Sequence, residues 1–196
     1  MRIQISSKEL NSRNKTIKHF LKPIARDYQD LYVGSTGSST TQYIASAKDN
    51  SSRTTGRYDD MRFRTVIPSL RAMYYERWYR IDKSKGKFYY LDRAYLHIYM
   101  IEPALAEEKE FCLLHCDPNE PDNAAHAKYK QSLHLHIECT DSSCSPHCHI
   151  WPHAHIALNT GYLNHVLRDV NSLTQAIEEA VLMLREEVFD LFLKLR

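Results

Sequence analysis

The sequence predicts an α+β fold: an antiparallel sheet of about five strands flanked by an N-terminal helix and a long C-terminal helix. Three observations lead there. Apolar residues recur every three or four positions near both ends of the chain, aromatic residues crowd positions 73–101, and two short runs between 133 and 158 alternate between aliphatic residues and histidine. Helix, then strands joined by turns, then helix is the order of an α+β domain rather than of repeated βαβ units. At 196 residues the chain suits one well-buried domain, 1–196.

The elements follow in order. Ile17, Phe20, Leu21, Ile24, Tyr28 and Leu31 form one helical stripe in the first thirty residues, and Pro23 inside it predicts a kink or a break. Residues 34–57 are rich in Gly, Ser and Thr, which predicts a long mobile loop. Residues 73–81 and 88–101 are apolar and aromatic, and the turn-like segment 82–87 between them predicts a hairpin. Residues 111–116 are a third strand. An acidic loop over 117–123 and a helical turn over 124–130 come next, before strands at 133–138 and 153–158. At the C-terminus Ser172 and Gln175 have the spacing of a capping box. The stripe Leu173, Ile177, Val181, Leu184, Val188, Leu191, Leu195 is widened by Leu182, Phe189, Phe192 and Leu193, so this helix is expected to be buried on more than one side. The widened stripe also offers a surface for a second copy or a protein partner.

Composition narrows the function classes. With 43% hydrophobic and 26% charged residues the chain is neither disordered nor fibrous. No stretch approaches the roughly 18 apolar residues a membrane helix needs, and the first residues lack the apolar run of a signal peptide. A cytoplasmic protein without a membrane partner is expected. The net charge of +2 hides an asymmetry: Lys and Arg outnumber Asp and Glu 19 to 9 over residues 1–95 and are outnumbered 7 to 15 over 96–196. The basic half contains Arg53, Arg57, Arg62, Arg64, Arg77 and Arg80, interleaved with Tyr58, Phe63, Tyr74, Tyr75, Trp78 and Tyr79. Arginine neutralises phosphate and aromatic rings stack on unpaired bases, so a single-stranded nucleic acid is the expected partner.

All five cysteines and eight of the eleven histidines fall within 112–155. An odd cysteine number argues against a disulfide framework and, mixed with histidine, for metal binding or catalysis. Strand alternation divides this region. Leu133, Leu135 and Ile137 belong to one face, and His134, His136 and Glu138 to the other. Likewise Ala154, Ile156 and Leu158 oppose His153 and His155. An antiparallel pairing of the two strands gathers these imidazoles with Glu138 on one surface, suited to a zinc site or to acid/base cleavage of a phosphodiester. The connection at 139–152 is a His/Cys-rich insert too small to have a core, and Cys139, Cys144, His147, Cys148 and His149 could hold a zinc ion within it. Cys112 and Cys116 read as core thiols, and His97 as a structural histidine. The expectation is a His-rich hydrolase (a nuclease) acting on RNA or single-stranded DNA, either around a zinc ion or through an acid/base pair. Its alternative is a zinc-stabilised nucleic-acid-binding or assembly subunit without catalysis.

Overall fold

The computed structural model describes residues 3–39, 42–50, 61–83, 86–102, 107–117, 133–137, 154–157 and 167–194. Among these, nine strands form one antiparallel sheet: β1 Gln4–Ser6, β2 Tyr32–Ser39, β3 Gln42–Lys48, β4 Phe63–Arg64, β5 Leu70–Lys83, β6 Gly86–Glu102, β7 Glu107–Cys116, β8 His134–Ile137 and β9 Ala154–Ala157. The order is β2-β3-β5-β6-β7-β8-β9, with β1 paired to β6 and β4 to β5. The α+β class and the two flanking helices match the sequence prediction, while the sheet is larger than five strands.

The β5–β6 hairpin is the spine. Lys83 pairs with Gly86 at its tip, and Gly86 has φ 138°, a conformation that costs glycine little and a side-chain-bearing residue much. Arg77 pairs with Arg93 but Trp78 pairs with Leu91, which leaves Asp92 as a bulged residue. Its carboxylate accepts from the Nε atoms of Arg77 (2.7 Å) and Arg93 (2.9 Å).

Helix α1, Ser7–Leu21, begins at a capping box made by Ser6 and Glu9. It stops two residues before Pro23, which has no N–H to continue the ladder. The stripe predicts helix to Leu31, but residues 28–30 form a turn. Ile24 and Leu31 are buried nonetheless. Helix α2, Val170–Met183, is followed by a π-helical stretch, Leu184–Phe189, and a last α turn, Asp190–Lys194. Its N-cap is Asp169, and Ser172 is the third helical residue: the box lies three residues upstream of the predicted one because the carboxylate takes the capping role. Leu182, Leu191 and Leu193 are exposed, so the helix is buried along one stripe rather than on several sides.

Both helices cover one face of the sheet. Leu10, Ile17 and Phe20 of α1 and Leu173, Ile177 and Val181 of α2 pack on Ala47, Tyr74, Trp78, Leu96, Leu114 and Cys116. On the opposite face Met73, Tyr75, Tyr95 and Tyr99 form a second buried cluster. Burial on both faces explains why β5 and β6 read as aromatic runs instead of clean alternations.

Residues 34–39 and 42–48 are strands, where composition predicts a loop over 34–57. Val33, Ile44, Ala45 and Ala47 pack into the sheet, and backbone pairing of β2 to β3 and β3 to β5 outweighs the flanking Gly and Ser. The predicted loop and turn over 118–130 and the insert 139–152 lie outside the described residues. No helix among the described residues is long and apolar enough to cross a membrane.

Candidate metal centre

Alternation along β7 sends Cys112, Leu114 and Cys116 to the helical face, where Cys116 joins the core and Cys112 packs against it. Burial pushes the Cys112 thiol up to about 11 and holds Cys116 well above its ordinary value, with Asp117 and Glu76 adding to the effect there. Both are thus inert core thiols. His115 takes the opposite face, and Asp117 is the first residue after the strand.

The register sets His115 opposite His134 on β8 and opposite Tyr95 on β6. Tyr95 lies flat on His115, with ring centroids 3.7 Å apart at 8°. The rings of His115 and His134 are 6.0 Å apart and nearly perpendicular at 74°, so they converge from two directions. Asp117 closes the group, with Oδ2 lying 3.7 Å from His134 Nε2. One ligand atom from each of His115, Asp117 and His134 lies within 4.8 Å of the other two. The exposures are 7%, 2% and 0% respectively.

His97 adjoins this cluster from β6. Its Nε2 is 2.6 Å from His115 Nε2, and its Nδ1 is 3.0 Å from the Tyr99 hydroxyl. Burial, then the charge of Arg62, pushes His97 down to about 4, so the ring is neutral at neutral pH. The Arg62 guanidinium lies 4.2 Å over the Tyr99 ring and pairs with Glu108 at 3.3 Å.

Of the sequence-predicted site residues, His134 lies in the cluster. Its strand β8 pairs antiparallel with β9, and the register sets His136 opposite His155 and Leu135 opposite Ile156, without the one-residue slip that would separate the faces. Glu138, His153 and the insert residues Cys139, Cys144, His147, Cys148 and His149 lie outside the described residues, as do Arg53 and Arg57. The remaining arginines do not form a row of uncommitted cations. Arg64 binds Asp49 at 3.1 Å and Asp30 at 3.5 Å, Arg77 binds Asp92 and Arg62 binds Glu108.

Sequence reasoning missed His115, Asp117 and His97. The signal available was the His115-x-Asp117 spacing, which puts both on one side of an extended segment. Its meaning depends on β7 lying between β6 and β8, which no local pattern specifies. Two imidazoles and a carboxylate are a donor set for a transition-metal divalent cation, zinc above all, and the three residues leave a further coordination position. Comparison with protein-family models, with curated proteins and with solved structures finds no match for this chain.

Proposed function

We propose that His115, Asp117 and His134 hold a zinc ion, and that the protein is a hydrolase of phosphodiesters in RNA or single-stranded DNA. The observation that carries the reading is the convergence of these three donors within 4.8 Å. Three protein ligands with a position left over are the arrangement of catalytic rather than structural zinc. When bound there, the ion would polarise a phosphoryl oxygen and acidify a water. The chain's own part is to fix the donors from two adjoining strands and to exclude bulk water from them. His136 and His155, opposed across β8 and β9, are the groups to give and take protons, and His136 lies one strand repeat of about 7 Å along β8 from His134. The excess of Lys and Arg over Asp and Glu in residues 1–95 favours a polyanion such as nucleic acid as substrate, whereas Phe63, Tyr74, Tyr75 and Trp78 are buried and do not serve as stacking platforms.

A second reading draws on the burial of all three donors: a zinc that ties β7 to β8 in a nucleic-acid-binding or assembly subunit without turnover. One set of measurements separates the two. Protein purified without added metal is analysed for metal per chain and assayed on single-stranded RNA and DNA. The catalytic reading expects about one equivalent of zinc. It also expects cleavage that falls at least ~100-fold in His136→Ala or His155→Ala with metal content unchanged. The structural reading expects zinc without cleavage. A chain that neither carries nor takes up zinc or cobalt(II) sinks both.

A further inference from the structure

We infer that His97 is the positioning residue of the metal centre: it occupies Nε2 of His115, so that Nδ1 is the nitrogen His115 presents to the cation. This rests on the zinc reading above. The observations are the 2.6 Å separation of the two Nε2 atoms, the 3.0 Å contact of His97 Nδ1 with the Tyr99 hydroxyl, and the flat stacking of Tyr95 on His115 that restrains the ring plane. The sequence alone makes His97 a structural histidine, and its place on β6 beside His115 gives it a chemical task.

Between two neutral imidazoles facing each other through Nε2, one must donate and the other accept. With a cation on Nδ1, neutral His115 keeps its proton on Nε2 and donates it to His97. His97 then accepts at Nε2, carries its own proton on Nδ1 and donates to the Tyr99 oxygen. The opposite polarity, with Tyr99 donating to His97 and His97 donating to His115, leaves the proton of His115 on Nδ1, where it blocks the cation. Loading the centre therefore selects one polarity of the Tyr99–His97–His115 chain. On switching from the other polarity, the Nδ1 proton of His115 leaves to solvent as the cation binds, and the Tyr99 oxygen takes one up after passing its own to His97. The net number of bound protons is unchanged. A carbonyl or carboxylate behind a ligand histidine fixes the tautomer in the same way elsewhere, and loss of such partners typically weakens metal binding about 10–100-fold.

The test is nitrogen-15 NMR of histidine-labelled full-length protein, with long-range proton–nitrogen correlations recorded before and after one equivalent of zinc. The expected spectrum of the loaded protein has His115 unprotonated at Nδ1 and protonated at Nε2, and His97 protonated at Nδ1. Coordination of His115 through Nε2, or His97 protonated at Nε2 in the loaded protein, overturns the inference and leaves the zinc reading standing. In parallel, His97→Phe removes the acceptor, and zinc affinity measured by competition with a chelating dye should drop about 10–100-fold. His97→Gln, whose Oε1 can accept from His115, should recover part of it. Undiminished affinity in a folded His97→Phe protein also overturns the positioning role. If wild-type protein binds neither zinc nor cobalt(II), the centre and the inference fall together. Should His97→Phe fail to fold, the wild-type spectra decide alone.

Discussion

Glu76 sits fully buried between the sheet and the two helices, and its neighbours explain how a carboxylate survives there. It accepts from Arg13 Nε at 3.0 Å and Nη2 at 2.7 Å, from the Tyr74 hydroxyl at 2.6 Å and from Trp78 Nε1 at 2.9 Å. Burial on its own would lower the Arg13 guanidinium, and the adjacent Glu76 charge more than offsets this, holding Arg13 above its ordinary value. Burial and the same charge push the Tyr74 hydroxyl well above its usual range, so it remains a donor. Removing one partner strands the other. Glu76→Ala should cost about 3–5 kcal/mol in urea denaturation, and Arg13→Met with Glu76→Leu together should cost less than Glu76→Ala alone. A double variant no more stable than the single would contradict this account. From sequence, Glu76 is an acid interrupting an aromatic strand, and nothing marks Arg13, 63 residues away, as its partner. The candidate metal centre divides in the same way. The strands β8 and β9 and their antiparallel pairing are legible because the alternation through them is strict. His115, Asp117 and His97 are not, because their meaning comes from strand order, a property of the whole sheet.

Among the elements, the C-terminal helix marks the boundary of what periodicity can convey. Its stripe through Leu173, Ile177, Val181 and Leu184 is buried as the spacing predicts. Beyond that the π-helical stretch Leu184–Phe189 inserts an extra residue per turn and rotates the remainder. Phe189 becomes buried and Leu191 is 50% exposed, a phase change that no residue in the segment announces. The start of the helix is a matter of local chemistry. Asp169 Oδ1 accepts from the Ser172 amide at 2.8 Å, and the Asp169 amide donates to Ser172 Oγ at 3.0 Å. The Ser172 backbone amide, more than any other group, holds the Asp169 carboxyl below its ordinary value. Asp169→Ala should therefore destabilise the protein by about 1 kcal/mol at pH 7. The carboxyl titrates lower in the folded than in the unfolded chain, so the stabilisation is complete above the unfolded value near 4 and is lost as pH falls through the folded one. The difference between wild type and Asp169→Ala in urea midpoint should accordingly shrink below about pH 4; a difference constant down to pH 2 would remove the charged cap from the explanation.

Across the whole molecule the sheet is unequally supported, and this decides what the ion would do for stability. Strands β3, β5 and β6 are long, paired on both sides and covered by α1 and α2 on one face. Strands β8 and β9 have four residues each and attach to the sheet through three paired positions between β7 and β8. So short a ladder is marginal by itself. An ion shared by His115 and Asp117 at the end of β7 and His134 on β8 would bridge that seam. Its effect should be local, because the helical core gains nothing from it. Zinc at 100 times its dissociation constant stabilises the elements that require it by about 2.7 kcal/mol, equivalent to a roughly 100-fold smaller open population. Amide hydrogen exchange measured with zinc and then with chelator should accordingly speed up about 100-fold over 134–137 and 154–157. Tyr74 through Trp78 and α1 should keep their protection. Equal acceleration in both regions would mean that the ion supports global folding, and no acceleration at the seam would mean that β8 and β9 are held without it.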